Sequence, residues 1–306
     1  MTPIISVTIP CYHQLAHAQR VVKTVLEQPV HDFELTLLDD GASDEYRDYV
    51  GSLGDPRVRY HRNETRLGAM RNMFAAIAWG TGKYALAFHE DDLLGAHYIE
   101  AAIDILERHP RCGFVVGELR EFLAEPSADR LSTSWDGRSY DELPGAADYL
   151  REVFRGIEPM FGSVVYRRDA LAGIEPEHDR FATLMDRPFL LDILERWSAA
   201  IVRAPMVWYR RHPQGDGRHS VMTTDHILAL FERYRSVWPR DWRRADADTF
   251  YGYSEPWLRE LYRLTDTDKR SSFLRFVYEA WRRGLARRRV KGPLGLRAIA
   301  AHMFKR

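Results

Sequence analysis

Four consecutive polar residues, His89, Glu90, Asp91 and Asp92, stand directly after the apolar run at 84–88. The run predicts a buried strand, so this strand would deliver three carboxylates and an imidazole to one point. Carboxylates this close repel one another, and a cation among them would offset the repulsion. Oxygen ligands suit Mg²⁺ or Mn²⁺. The alternative is a solvated loop or the start of a helix, where acidic residues are common.

A second acidic pair, Asp39 and Asp40, follows another apolar run at 33–38 and precedes Gly41. A carboxylate at a strand end can accept hydrogen bonds from a base or a ribose. The alternative is turn chemistry, because Asp-Gly pairs commonly end strands. The repeated placement of acidic residues after strands is more informative than either pair alone.

The elements that must position these residues alternate along the first 120 residues. Apolar runs predict strands and helically spaced apolar residues predict helices at 4–9, 15–28, 33–38, 57–60, 66–80, 84–88, 96–108 and 113–116. Such alternation predicts an α/β fold with a mostly parallel sheet covered by helices. Ligands of these sheets bind outside the carboxyl ends of the strands, where both acidic groups fall.

The composition narrows the class of protein. The chain has 306 residues, 45% of them hydrophobic, with 44 basic and 44 acidic residues. A neutral balance without a recognised nucleic-acid module argues against a nucleic-acid partner. Two cysteines, Cys11 and Cys112, predict no disulfide framework. No apolar run reaches the length of a membrane-spanning helix and no signal peptide is evident, so we expect a cytoplasmic protein.

The rest of the chain predicts two further parts. We expect 1–120 to be one half of the sheet domain, 121–220 its second half, and 221–306 a helical extension. Residues 282–306 carry nine Lys or Arg and no acidic residue, interleaved with apolar side chains. This pattern favours an anionic membrane surface. The alternatives are a solvated helix end, or a helix packed on its own domain or on a second subunit of a homodimer.

Several segments in order resemble the nucleotide-sugar motifs of family 2 glycosyltransferases. They are "ISVTIPCYHQ", "LTLLDDGASDE", "NETRLGAMRNMFAAIAWGTGKYALAFHEDD", "FGSVVYRRDAL", "LMDRPFLLDIL" and "WYRRHP". Their order and spacing together are more specific than any one of them. The resemblance implies the GT-A fold and a nucleoside-diphosphate sugar donor, with UDP favoured. It also implies that 1–120 is the nucleotide-sugar-binding half and 121–220 the acceptor-binding half of the same domain.

The resemblance also implies roles at the donor side. Pro10 and Tyr12 match the first-strand residues that hold the nucleobase and ribose. Asp40, with Asp39, matches the carboxylate that contacts the uracil edge. The remaining matches are Glu90 beside the ribose and Arg71 near the diphosphate, although a lone Arg71 is also typical of a solvent-facing helix position.

The metal ligands implied by the resemblance are Asp91, which matches the last Asp of the D-x-D motif, and His212 in "YRRHP". His89 stands where the first Asp of that motif usually lies. Imidazole can bind Mn²⁺ and suits Mg²⁺ less well. The alternative for His89 is a hydrogen-bonding residue at the strand end, and for His212 a structural histidine. The polar, glycine-rich segment 212–220 is predicted to order over bound donor.

The catalytic base implied by the resemblance is Asp186, although Met185 replaces the acidic residue that usually precedes it. A carboxylate here would take the proton of the acceptor hydroxyl as that oxygen attacks the anomeric carbon with inversion. Asp186 could instead cap the helix that begins near Pro188. Glu177 and Asp179 are the next candidates for the base.

The sequence therefore predicts a metal-dependent, inverting glycosyltransferase that uses Mn²⁺ or Mg²⁺. We expect a saccharide or lipid-linked acceptor in cell-surface polysaccharide or glycolipid synthesis. One alternative is a non-catalytic nucleotide-sugar-binding or scaffold protein. Another is a sugar nucleotidyltransferase, which normally needs a glycine-rich basic loop near the first strand, and "IPCYHQLAHAQ" has none.

Overall fold

The computed structural model describes residues 2–41, 43–157, 159–211, 223–237, 249 and 252–253. The chain divides into two compact units. The first comprises residues 1–145, 158–176 and 189–220, and the second 146–157, 177–188 and the chain from residue 221 onward. Each unit is described by itself, through its described residues. The sequence-based boundaries at 120 and 220 stay a prediction.

The strands and helices of the described chain follow the alternation predicted from the sequence. The strands are β1 Ile5–Cys11, β2 Phe33–Asp39, β3 Val58–Arg62, β4 Tyr84–Ala87, β5 Leu93–Leu94, β6 Cys112–Phe122, β7 Tyr140–Leu143, β8 Val164–Arg167 and β9 Ser198–Arg210. The helices are α1 Leu15–Leu26, α2 Glu45–Leu53, α3 Ala69–Ala78, α4 Tyr98–Arg108, α5 Ala128–Leu131, α6 Ala146–Phe154, α7 His178–Phe181, α8 Asp186–Ile193 and α9 Thr224–Ser236.

The described strands form a mixed sheet in the order β3-β2-β1-β4-β8-β6-β9-β5, with β7 paired to β9. β1 is parallel to both β2 and β4, and β2 is parallel to β3. β8 then runs antiparallel to β4 and β6. The carboxyl ends of β1, β2 and β4 therefore meet at one edge, which is where the acidic residues were predicted to lie.

The core of the first unit explains why β1 is central. Its alternate side chains Ile5, Val7, Ile9 and Cys11 lie on one face of the sheet and are fully buried, and Ser6 and Thr8 on the other face are buried as well. The buried stripe of α1, Ala18, Val21, Val22 and Val25, belongs to the same apolar cluster. This packing fixes β1, and with it the loop that leaves its carboxyl end.

The predicted α/β class, with a central sheet flanked by helices, is confirmed. Two details differ from the prediction. Four strand pairs are parallel and four antiparallel, so the described sheet is mixed rather than mostly parallel. The strand predicted at 113–116 extends to Phe122, because β9 pairs with it over its whole length. Among the described residues, the helices are too short or too polar to cross a bilayer.

Candidate functional site

Asp39 ends β2 and is fully buried, with three hydrogen-bond donors around its carboxylate. Oδ1 accepts from the amide of Gly41 at 2.8 Å. Oδ2 accepts from the Tyr60 hydroxyl at 2.8 Å and from Nε of Arg62 at 3.5 Å. A buried carboxylate requires such donors. Asp39 therefore closes the turn after β2 and ties it to β3.

Asp40 organises the loop that joins β3 to α3. Its Oδ1 accepts from Asn63 Nδ2 at 2.8 Å and from the Leu67 amide at 2.7 Å, and its Oδ2 accepts from the Gly68 amide at 2.8 Å. Gly68 has a φ of +80°, which favours glycine. The helix predicted from residue 66 therefore begins at Ala69, because Asp40 holds the two preceding residues outside it.

Glu90 is buried and holds the loop after β1. Its Oε1 accepts from the Tyr12 amide at 2.9 Å, and its Oε2 accepts from the Tyr46 hydroxyl at 2.7 Å. That hydroxyl in turn accepts from the Gln14 amide at 2.8 Å. Burial, followed by the charge of Glu90, raises the pKa of Tyr46, so its hydroxyl stays protonated. The contacts expected of Glu90 with a ribose stay a prediction.

Tyr12 projects from the carboxyl end of β1, just after Pro10, and its ring is exposed. The guanidinium carbon of Arg66 lies 4.3 Å from the ring centroid, which is cation–π stacking distance. Asp40 anchors the loop that carries Arg66, and Glu90 anchors the backbone of Tyr12. Two neighbouring loops thus present an exposed stacked pair at the edge where Pro10 and Tyr12 were expected to hold a nucleobase.

His89, Asp91 and Asp92 bring one imidazole and two carboxylates together in the loop between β4 and β5. One potential ligand atom from each lies within 4.8 Å of the others. Opposite ligands of an octahedral cation at about 2.1 Å lie roughly 4 Å apart. A small contraction would therefore let the group hold a divalent cation, so the donor set fits Mn²⁺ or Mg²⁺.

The electrostatics of this group are unfavourable without a positive charge. Asp92 is 2% exposed, and burial, followed by the negative charge of Asp91, raises its pKa well above the usual range. The opposing influence comes from Arg210, whose amide donates to Asp92 Oδ1 at 2.9 Å. Nδ1 of His89 lies 3.9 Å from Asp92 Oδ2. The sequence prediction included Asp91 and omitted Asp92 as a ligand.

A glycine makes room for the imidazole. A Cβ on Gly162, in the turn before β8, would lie 2.9 Å from Cδ2 of His89. Such a contact is too close for a real Cβ, so the close approach of the two segments requires glycine here. His89 is therefore held between its own loop and the Phe161–Ser163 turn.

The remaining predicted residues lie elsewhere. Arg71 is exposed on α3, and it forms no hydrogen bond or ion pair with any other described residue. Asp186 lies in the second unit as the first residue of α8, rather than two residues before a helix starting at Pro188. It is buried, and its Oδ1 accepts from the Arg187 amide at 2.9 Å. His212, the segment 212–220 and residues 282–306 lie outside the described residues.

The alternative candidates for the base have different surroundings. Glu177 and Asp179 are exposed, and Glu177 pairs with Arg180 at 3.0 Å. Among these carboxylates only Asp186 is buried, and its negative charge raises the pKa of the buried Tyr149, second to burial itself. The choice of Asp186 as catalytic base ahead of Glu177 and Asp179 therefore remains a prediction.

The sequence analysis missed three positioning side chains, namely Tyr46, Asn63 and Arg210. Each makes its contact across a long sequence separation, for example 44 residues from Tyr46 to Glu90. Periodicity reports on local structure and gives no signal for such pairs.

The family model described as "Glycosyl transferase family 2" matches residues 6–172, which is more than half of the chain. The chain belongs to glycosyl transferase family 2. The matched range includes His89, Asp91, Asp92 and the predicted donor-side residues from Pro10 to Glu90, and it ends before Asp186, Arg210 and His212. The recognition made from the ordered motifs is thereby confirmed.

Comparisons with individual proteins support the same family. The chain is 32% identical over 92 residues to WcaA of Escherichia coli K12, named for colanic acid biosynthesis, which covers 29% of this chain and 33% of WcaA. The chain thus spans about a third of that curated relative. It resembles the S. aureus TarS 1–349 crystal structure in complex with UDP-GlcNAc, with a TM-score of 0.67 and 11% identity over 99% of this chain and 88% of that 1–349 chain.

A further solved structure shares the fold with a lower TM-score. It is the mannosyltransferase PcManGT from Pyrobaculum calidifontis in complex with GDP-Man and Mn²⁺, with a TM-score of 0.52 and 13% identity over 99% of this chain and 86% of that chain. At these identities the two structures establish the fold alone, which confirms the predicted GT-A architecture.

Proposed function

We propose that this family member transfers a sugar from a nucleoside diphosphate, with UDP favoured, to a hydroxyl of a saccharide or lipid-linked acceptor. The observation that carries the proposal is the convergence of His89, Asp91 and Asp92 at the sheet edge where the loops of Tyr12 and Asp40 also lie. Parallel α/β sheets bind ligands at this edge.

The donor would lie across the carboxyl ends of β1, β2 and β4. The exposed ring of Tyr12 offers a stacking surface for a nucleobase, and Glu90 and Asp40 hold the two loops that border it. Arg71, exposed and without a protein partner among the described residues, offers a positive charge to the diphosphate. These roles follow the residue types and their placement at one edge.

His89, Asp91 and Asp92 would hold the divalent cation. A bound cation neutralises charge that develops on the leaving diphosphate. One imidazole nitrogen among the ligands suits Mn²⁺ better than Mg²⁺, which prefers oxygen ligands. His212 stays a proposed further ligand.

Asp186 is the proposed catalytic base. Its carboxylate would accept the proton of the acceptor hydroxyl while that oxygen attacks the anomeric carbon opposite the diphosphate. One displacement of this kind inverts the anomeric configuration. The name of WcaA, a protein of colanic acid biosynthesis, supports a role in polysaccharide or glycolipid synthesis.

A donor screen tests the proposal directly. Thermal unfolding is measured with UDP-, GDP- and dTDP-sugars, each with and without Mn²⁺, and released nucleotide is then assayed with saccharide and polyprenyl-linked acceptors. We expect a UDP-sugar to give the largest Mn²⁺-dependent stabilisation, followed by transfer. Binding without turnover for every acceptor would favour the scaffold alternative, and absence of binding would contradict the proposal.

The variant Asp186→Asn tests the assignment of the base. It should lower the transfer rate at least about 100-fold, in line with the loss of a general base, while leaving donor affinity within about twofold. Asp148→Asn, which removes an exposed partner of Arg151 in the same unit, is the matched control and should remain active. Transfer by Asp186→Asn at the control rate would move the base to another residue.

A further inference from the structure

Arg210, the last residue of β9, contacts the loop of His89, Asp91 and Asp92 through both its backbone and its side chain. These three residues are called the metal group below. Its amide donates to Asp92 Oδ1 at 2.9 Å, and its Nε donates to the carbonyl of Asp91 at 2.8 Å. β9 also pairs directly with β5, which follows the group, through Leu93 opposite Trp208. The end of β9 is thus joined to the loop by two hydrogen bonds and to β5, the next element, by strand pairing.

The guanidinium of Arg210 is itself held in place from the other side. Its Nη2 donates to Glu125 Oε1 at 2.5 Å, and Glu125 also pairs with Arg20 of α1. The guanidinium carbon lies 4.6 Å over the Phe122 ring. The side chain is only 10% exposed, so these interactions are far less screened than those of a surface pair.

The next residue provides the contrast. Arg211 is 53% exposed and pairs with the exposed Glu121 at 3.2 Å. An exposed pair of this kind stabilises by no more than about 1 kcal/mol. Two adjacent arginines at one strand end therefore have different environments, and only the first contacts the loop that carries His89, Asp91 and Asp92.

We infer that Arg210 is a positioning residue that holds this loop in the geometry needed to bind a divalent cation, an inference that rests on the proposed metal site. As a positioning residue, Arg210 contacts neither the cation nor the donor. Its side chain fixes the carbonyl of Asp91, and its amide fixes the carboxylate of Asp92. Outer-shell partners of this type typically change metal affinity by 10–100-fold.

The charge and the geometry of Arg210 have opposite effects on a cation. The positive charge alone would repel a divalent ion, so its removal would strengthen binding. The guanidinium bridges the Asp91 carbonyl and Glu125 and so orders the loop, and the loss of this bridge would weaken binding. Lysine keeps the charge but presents one nitrogen in place of the planar fork, and it cannot reach Asp91 and Glu125 in the same way. Arg210→Lys therefore isolates the geometric contribution.

The experiment compares Arg210→Lys with the matched control Arg211→Lys. Mn²⁺ affinity is measured by electron paramagnetic resonance of the free ion, and backbone amide exchange is measured by mass spectrometry for a peptide spanning 88–94. We expect Arg210→Lys to raise the Mn²⁺ Kd about tenfold and to speed exchange in that peptide, with thermal unfolding confirming that it is folded. Arg211→Lys should stay within twofold of the wild type in both.

A second variant guards against a folding defect in the first. Glu125→Gln leaves the Arg210 charge in place and weakens its outer anchor, together with the Arg20 pair on α1, so the Mn²⁺ Kd should rise two- to threefold. Equal Mn²⁺ affinity and equal exchange for the 210 and 211 variants would overturn the inference. Failure of the wild type to bind Mn²⁺ would instead overturn the proposed metal site, while the exchange measurement would still decide whether Arg210 orders the loop.

Discussion

The acidic residues after β2 and those after β4 occupy the same edge of the sheet, yet their surroundings differ. Asp39 and Asp40 each accept three hydrogen bonds from the protein. A carboxylate has about four acceptor sites, so most of that capacity is used. After β4, one potential ligand atom each of His89, Asp91 and Asp92 lies within 4.8 Å of the others, and Asp92 also accepts the Arg210 amide.

We interpret the difference as a structural use of the carboxylates after β2 and a proposed ligand-binding use of those after β4. The pair after β2 is surrounded by N–H and O–H donors, which stabilise the charged form without a ligand. The two carboxylates after β4, if both ionised within 4.8 Å, repel by roughly 3 kcal/mol at an effective dielectric constant of about 20. A cation would remove this penalty at the second group and has no such role at the first.

The largest effect expected from this comparison concerns Asp91→Asn. An amide oxygen is neutral, so the cation loses a charged ligand, and we expect the Mn²⁺ Kd to rise at least about 100-fold, beyond the range of outer-shell changes. Mn²⁺ should also cease to raise the unfolding temperature. Asp48→Asn, an exposed carboxylate on α2, serves as the control. Wild-type Mn²⁺ affinity in Asp91→Asn would remove Asp91 from the ligand set.

Sequence patterns predicted the alternating elements and the edge where the acidic residues meet. Both follow from local regularities, namely apolar periodicity and acidic strand ends. The different surroundings of the two acidic groups could not be predicted. Asp40 finds its donors 23–28 residues away, and Asp92 finds the Arg210 amide 118 residues away.

The lack of a local signal for long-range contacts also explains why the sheet was predicted to be mostly parallel. Whether a strand such as β6 has parallel or antiparallel neighbours depends on which distant segment pairs with it. β8 inserts between β4 and β6 after a gap of more than 40 residues, and it makes the sheet mixed. The His89 environment depends likewise on Gly162, which no local pattern connects to it.

The second prediction concerns the structural carboxylate. Asp40→Asn places an NH₂ group against N–H donors of Asn63, Leu67 or Gly68, whichever way the amide turns. We expect the free energy of unfolding, measured in urea, to fall by about 2–4 kcal/mol, because hydrogen bonds to charged groups contribute about 1.5–3 kcal/mol. Mn²⁺ affinity should remain within twofold.

A different result for Asp40→Asn would assign this carboxylate to nucleotide binding. Unchanged stability together with weaker UDP binding would show that Asp40 acts mainly on the nucleotide, as the family resemblance implies. Urea denaturation and UDP titration of the same preparation separate these outcomes, and Asp48→Asn again controls for loss of a surface charge.

The smallest expected effect belongs to Tyr46→Phe, which tests whether Glu90 serves the loop of Tyr12. The change removes the hydroxyl that donates to Glu90 and accepts from the Gln14 amide. We expect a loss of about 1–2 kcal/mol in unfolding free energy and UDP binding weakened about threefold, with Mn²⁺ affinity unchanged. Tyr49→Phe is the matched control on the same helix, since its hydroxyl bonds to no described residue. If both variants bind UDP equally well, Glu90 does not need Tyr46 to position Tyr12.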